Sequence, residues 1–433
     1  MRIRIVLFLS LIYFSSFSQG GSNSVYSQYG FGMLYPHQSG QSFGMGNTGI
    51  AMSSPLNINL FNPASVADIK YMTFDVNVLS NSISAKDGIN TPASYTDASL
   101  GTIALAIPLL KNWGAYAGLT PFSSVGYRVA RTFSDSTLGT VNDYYHGTGG
   151  VNSIFLGSGY RYKNLSIGAK GNYLFGAFTH DHLRVLTPGT FFNSYSQNKY
   201  TFANLTLDLG AQYRIAANEN LSFIVGVVYG MQQELTVKTT ERMLTTTQNV
   251  LTDSSATDVF IKSVVFDNTA NPGKSTLTYP QYFGGGISVN YKEKLIVTFD
   301  YKQQEWKKFE LTNSSSYTAG KSFNLGAEWT PNKNSAGNEN YHKRVAYRIG
   351  LRYANLPLTI NNTNITDYGI NIGFAFPLRK LKFERELFGS YINLGFEAGR
   401  RGTLAASLVE ESYFKINIGF TFNDKWFIKR KFD

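Results

Sequence analysis

Gly44-Met45-Gly46-Asn47-Thr48-Gly49 has the letters of the dinucleotide fingerprint GxGxxG. Asp68 stands at about the 20-residue distance where such a site places the acid that meets a ribose. The chemistry would be a pyrophosphate held on glycine amides at a helix start, but the surroundings do not supply it. No apolar strand precedes the motif, and Pro55 and Pro63 interrupt the stretch after it, so these glycines are read as turn formers. His180-Asp181-His182 offers two imidazoles and a carboxylate to a metal, yet no further ligand stands near in sequence, and no metal site is expected. The other histidines, His37, His146 and His342, adjoin no serine motif. A hydrolytic triad needs such a pairing, so no enzyme and no cofactor are expected.

The elements that would carry any site are strands. Residues 413–422 alternate without error: Phe414, Ile416, Ile418, Phe420 and Phe422 on one face, Tyr413, Lys415, Asn417, Gly419 and Thr421 on the other. An all-apolar face opposite a polar one suits a wall between lipid and a wet interior. A charge at Ile418 is expected to impair insertion, and one at Asn417 is not. The same period separates Leu205, Leu207 and Leu209 from Thr206 and Asp208, and Tyr347, Ile349, Leu351 and Tyr353 from Arg348, Gly350 and Arg352.

Among the 433 residues, no run of about 18 apolar ones comes after the first residues, so no spanning helix is available. A chain without such a helix can cross a bilayer only as a closed barrel, which leaves no backbone group unpaired in lipid. With 28 Tyr, 32 Phe, 41 Gly and 15% charged residues, the composition fits aromatic girdles and tight turns. Zero Cys excludes a disulfide framework, a thiol nucleophile and a lipidated cysteine. The net charge of +11 is scattered, apart from Lys425, Lys429, Arg430 and Lys431. It is therefore assigned to lipid phosphates or the periplasmic face, with no nucleic-acid partner expected.

Met1-Arg2-Ile3-Arg4, the apolar residues 5–14 and Ser16-Phe17-Ser18 form the three parts of a signal peptide, residues 1–18, with a mature start near Gln19. Residues 70–433 then hold about 14 strands, starting near 70, 95, 114, 150, 165, 199, 221, 279, 295, 319, 344, 366, 389 and 410. Short connections, such as 162–164 and 292–294, alternate with long ones at 133–149, 179–198 and 237–278. That is the asymmetry of periplasmic turns and outer loops. Within the longest, residues 259–266 can form a small strand or helix. The fold class is thus an all-β transmembrane antiparallel barrel.

Residues 19–69 are rich in Gly, Ser and Asn but carry Tyr26, Tyr29, Phe31, Met33, Leu34, Phe43, Leu60 and Phe61. A disordered tail would lack these anchors, so the segment is expected to fold inside the barrel as a plug. Arg344, Arg348, Arg352, Arg161, Arg214, Lys170 and Lys302 are placed in the lumen. They can form either a positive patch for an amphipathic carboxylate or internal pairs with Asp75, Asp208, Asp300, Glu328 and Glu397.

Met45-Gly46, Gly49-Ile50-Ala51 and Asn62-Pro63-Ala64, set shortly before a first strand, resemble the hatch of the FadL/TodX family of outer-membrane transporters for long-chain fatty acids and other hydrophobic compounds. The resemblance covers essentially the whole mature chain. It implies a monomeric barrel of a Gram-negative outer membrane, amid lipid and lipopolysaccharide. The hatch would be built from Met45, Gly46, Gly49, Asn62, Pro63 and Ala64. It also implies passive uptake of a hydrophobic small molecule, with lateral exit at a kinked third strand, where Pro121 cannot donate to a ladder. Phe191 and Phe192 would be ligand contacts in a loop, although the outer loops are otherwise mostly Thr, Ser and Asn. The same pattern is similar to FadL-related barrels that serve protein secretion, which implies the alternative of an accessory subunit of a secretion or assembly complex.

Overall fold

The computed structural model describes residues 24–36, 39–187, 191–246, 261–307, 309, 316–333, 335, 340–378, 381–383 and 386–425. The signal peptide, Gln19, His37, Lys429, Arg430 and Lys431 lie outside these residues. Antiparallel strands succeed one another around a closed wall: β1 (Met72–Lys86), β2 (Ala93–Leu110), β3 (Trp113–Asp135), β4 (Gly139–Tyr162), β5 (Leu165–Thr187) and β6 (Asn193–Asn218). Next come β7 (Leu221–Gly230, continued by Gln233–Thr246) and β8 (Gly273–Tyr279, continued by Tyr282–Tyr291). The wall is completed by β9 (Leu295–Glu305), β10 (Ala319–Trp329), β11 (Ala346–Ile360), β12 (Thr363–Pro377), β13 (Tyr391–Gly402) and β14 (Glu410–Asp424). β14 closes the wall on β1 in continuous register from Met72↔Asp424 to Lys86↔Glu410. The result is a 14-strand antiparallel barrel.

Side-chain period decides which face meets lipid. In β14, Phe414, Ile418, Phe420 and Phe422 are exposed, whereas Tyr413, Asn417 and Thr421 are buried. Trp113, Tyr160, Tyr162, Tyr213, Tyr291 and Trp329 face outward at the short-turn end, the girdle expected on the periplasmic side. Phe283, Tyr301, Phe323 and Tyr353 form a second row, with successive ring centroids 6.1, 5.0 and 6.5 Å apart.

The long connections expected at 133–149 and 179–198 are instead mostly strand. β3, β4, β5 and β6 are 23, 24, 23 and 26 residues long, against the roughly 9–11 that cross a bilayer. Their upper halves therefore stand above the membrane, where water on both sides removes the apolar alternation that marks a strand in sequence. Part of the 237–278 connection is likewise strand, and Ile261–Asp267 pairs with the top of β7.

Before β1, the chain forms a 3-10 turn (Val25–Gln28), a two-residue edge strand (Met33–Leu34), a short helix α1 (Gly40–Gly44) and a second 3-10 turn (Pro63–Asp68). Ser39 starts α1 through a reciprocal capping box with Ser42, which meets backbone needs that water would otherwise meet. Phe43, Met45, Ala51 and Ala64 are fully buried against the inside of the wall.

Candidate functional site: the hatch and the wall seam

The turn through Met45 to Ala51 sits on wall glycines. Gly46 has φ +68°, which a side chain would strain, and a Cβ at Gly350 of β11 would lie 2.0 Å from the Gly46 nitrogen. On the opposite side, a Cβ at Gly168 of β5 would lie 2.5 Å from the Pro63 carbonyl carbon. Segment and wall are therefore in backbone contact, and water has no room between them there.

Polar bonds fix that contact. Gly49 N and Ile50 N donate to Asp300 Oδ2 of β9 at 2.6 and 2.9 Å. Asn62 Oδ1 accepts from Ala64 N at 3.0 Å and so starts the 3-10 turn that Pro63 enters with its φ preset. Its Nδ2 donates to Ile50 O at 2.8 Å and reaches Ala211 O of β6 and Val227 O of β7 at 3.2 and 3.3 Å. Gln212 donates to Ile50 O and Met52 O at 2.9 and 3.0 Å. Asp68 ends the turn between the guanidinium groups of Arg161 and Arg214.

Inside the barrel the cations face carboxylates. Arg348 Nε lies 2.8 Å from Glu328, which also accepts from Gln41 of α1 at 3.0 Å. Lys170 lies 3.1 Å from Asp208 and 3.3 Å from Leu60 O. Higher up, Arg352 meets Asp367 and Glu397 at 2.9 and 2.8 Å, Arg401 meets Asp367 and Glu411 at 3.1 Å each, and Lys415 meets Glu397 at 3.4 Å. Ser24 and Val25 N tie the start of the described chain to Glu411 at 2.8 Å. Tyr26 packs beside them. Burial, and then the Glu411 charge, holds its hydroxyl well above the ordinary phenol range. Lys302 lies over the Tyr282 ring at 3.9 Å. The pairing pattern thus holds for Arg348, Arg352 and Lys170 with Glu328, Glu397 and Asp208, whereas Lys302 has no ion pair among the described residues, Asp75 accepts from the Thr421 hydroxyl and Asp300 is taken by hatch amides. Arg344 does not belong to the lumen. It ends the 3-10 turn Tyr341–Arg344 at the short-turn end, over the Tyr341 ring, because β11 begins only at Ala346.

Above the charges, Phe31 stacks among Phe202, Phe309, Phe122 and Trp306 with centroids 5.1, 5.2, 5.7 and 6.2 Å away. Burying one such ring stabilises by about 1.5–3 kcal/mol. Trp306 and Phe309, from the connection after β9, are not anticipated from sequence. Each is isolated there in polar company, and only the inward fold of the chain joins them. The cavity left between the N-terminal segment and Arg352, Asp367, Arg401 and Lys415 holds about 140 Å³. A groove of about 310 Å³ between Phe299, Phe323, Leu351 and Tyr368 lies on the lipid side of the wall.

The wall parts between the upper halves of β2 and β3. β2 and β3 pair from Leu110↔Trp113 only as far as Ile103↔Leu119, and β3 continues through a bulge between Pro121 and Ser123. Thr102 and Thr120 hydroxyls, 3.0 Å apart, mark the fork. Above it, the N-terminal segment takes the place of β2 along β3. Met33 and Leu34 pair with Ser124 and Ser123, Tyr35 N donates to Phe122 O at 2.9 Å, and Ser27 Oγ accepts from Gly126 N at 3.0 Å. Burial, with Asp97 nearby, pushes the Tyr35 hydroxyl up to about 12.

The remaining candidate residues scatter. Phe191 and Phe192 are 48% and 54% exposed, away from the cavity. His180 bonds Tyr127 at 2.7 Å and His182 bonds Asp143 at 3.1 Å, whereas Asp181 accepts from Tyr195 at 2.7 Å on the other face of the strand. Among the described residues, no three His, Asp or Glu gather as a metal site would require.

Closed wall, girdles, inner segment and fork together define a FadL/TodX-like outer-membrane β-barrel. The chain belongs to the BamG family, whose sequence model matches residues 1–433. No curated protein matches it. Among solved structures, it is similar to a Pseudomonas aeruginosa FadL homologue, with TM-score 0.58, 11% identity, 91% of this chain and 100% of that one covered. It is also similar to the Ralstonia pickettii toluene transporter TbuX, with TM-score 0.54, 16% identity, 90% and 98% covered. The Pseudomonas putida toluene transporter TodX gives TM-score 0.51, 15% identity, 91% and 99% covered. At these identities the likeness is one of fold.

Proposed function

We propose that this barrel is an accessory subunit of the machinery that assembles proteins in the outer membrane, and that it does not carry a solute. The BamG name ties the family to the BAM machinery. The observation that supports the reading is the closed lumen. Met45 and Gly46 are seated on wall backbone, Gly49 N donates to Asp300 of β9, Asn62 is bonded across to β6 and β7, and Pro63 and Ala64 press on Gly159 and Gly168 of β4 and β5. Arg348, Arg352, Arg401, Lys170 and Lys415 are paired with lumen acids, and the 140 Å³ cavity is well below the roughly 300–1,000 Å³ of small-molecule sites. In this role the hatch is a fixed filling that keeps the barrel rigid and impermeable, leaving its outer surfaces for partners.

The test is purification of the tagged, full-length protein from its own outer membrane in mild detergent. Assembly-machinery subunits should come with it in stoichiometric amount, and its depletion should lower the level of folded outer-membrane barrels. A lone protein that binds radiolabelled fatty acid would overturn the proposal.

A second reading, passage of a hydrophobic small molecule, draws on one feature, the fork beside Pro121. It requires the Met33–Leu34 strand to leave β3 and α1 to break its bonds to β10 and β11. The observed bonding opposes both movements.

A further inference from the structure

Lys111, Lys163, Lys292, Lys294, Lys343 and Arg344 are six of the cations in the described turns at the periplasmic end, which also carry Lys333 and the carboxylates Glu219 and Glu293. None of the six has an ion pair within 4.0 Å among the described residues. The opposite end differs: Lys86 and Arg400 pair with Glu410, Arg242 with Asp267 and Arg184 with Asp143. Lys199, Lys238 and Lys274, also at that end, have no ion pair among the described residues, so it is the placement of the rim side chains and not the count of unpaired cations that sets the rim apart.

The direction in which these side chains lie says what that rim meets. Lys163 folds over the Tyr162 ring at 5.5 Å, Lys292 over Tyr291 at 5.3 Å and Arg344 over Tyr341 at 5.1 Å. Tyr162 and Tyr291 belong to the outward girdle and are 64% and 46% exposed on the lipid face. Side chains aimed at a soluble periplasmic partner would extend away from the membrane. These lie back along it, with apolar stems on the rings and charge at the height of headgroups. Lys163, Lys292 and Glu293 also have positive φ, so the turns themselves hold this arrangement.

We infer that the periplasmic rim is a binding surface for the phosphate groups of anionic phospholipids in the inner leaflet of the outer membrane. Lys163, Lys292 and Arg344 are its principal contacts. One cation at a headgroup favours an anionic over a zwitterionic lipid about fivefold.

The experiment measures the association of spin-labelled phosphatidylglycerol and phosphatidylcholine with the full-length barrel in phosphatidylcholine vesicles, by the motionally restricted fraction. Native protein should prefer phosphatidylglycerol about fivefold at low salt, with the preference weakened at high salt. The triple variant Lys163→Gln, Lys292→Gln, Arg344→Gln should lose at least half of it, while keeping the gel mobility of a folded barrel. The variant Lys199→Gln, Lys238→Gln, at the opposite end, should keep the full preference. Equal association of the two lipids with native protein, or a triple variant indistinguishable from native, overturns the inference. So does loss of an acidic periplasmic protein from the triple variant with no change in lipid preference.

Discussion

Asp300 Oδ2 accepts the amide of Gly49 at 2.6 Å, and through it a wall strand holds the turn that fills the lumen. Ile50 N shares the same oxygen at 2.9 Å. Hydrogen bonds to a charged group contribute about 1.5–3 kcal/mol each, less the cost of burying the carboxylate. Asp300→Ala should lower the midpoint of heat-induced gel-shift unfolding and expose residues 45–52 to protease. Asp300→Asn, which keeps an acceptor, should do so less. Equal midpoints for native and both variants would show that this bond does not secure the hatch.

Gly350 and Gly46 touch backbone to backbone, so Gly350→Leu leaves the hatch no seat. The barrel strands should still form, since β11 gains a good strand residue. Single-channel recording in a planar bilayer should then show conductance where native protein shows none. A silent Gly350→Leu barrel would mean that closure comes from the upper charge network alone.

The Met33↔Ser124 pair lies at antiparallel spacing, about 4.5–5.5 Å between Cα atoms, within reach of a disulfide, and the chain has no cysteine of its own. A Met33→Cys, Ser124→Cys variant should cross-link on oxidation and lock the seam. If the protein acts as an assembly subunit, oxidised and reduced forms support barrel assembly equally. Uptake of a hydrophobic compound that stops on oxidation and returns on reduction would favour the lateral-passage reading.

Ile418 is 43% exposed at the lipid face, and a lysine there should cost about 2–4 kcal/mol and reduce membrane insertion. Asn417 is not the harmless neighbour that alternation suggests. It is 1% exposed, its register partners are Gly395 and Leu79, and a charge there would be buried without an acid to meet it. Both Ile418→Lys and Asn417→Lys should therefore lower the yield of heat-modifiable barrel. A substitution tolerated at Asn417 alone would show a wetter lumen than the packing implies.

How far the sequence is legible depends on where a residue sits relative to the bilayer. β14 is readable residue by residue because lipid on one side and the lumen on the other impose a period of two. The tops of β3 to β6 have the look of loops in sequence because that contrast ends above the membrane. Alternation puts Arg344 in the lumen only by extending the period of β11 two residues past its start. His180 and His182 share a face while Asp181 points away, so adjacency in sequence does not mean adjacency in space. The hatch residues announce themselves through Gly, Asn and Pro, types whose backbone demands are local. Trp306 and Phe309 carry no such signal.

By itself the sequence determined the membrane barrel, its strand number and the presence of a filling segment, because strand period, turn residues and apolar anchors act over a few residues. Only the tertiary structure decided which cation meets which acid, that the wall glycines receive the hatch backbone, and that Met33 and Leu34 replace β2 beside Pro121. Those contacts join residues far apart in the chain. The closed wall fixes their distance, and no local property of the residues encodes it.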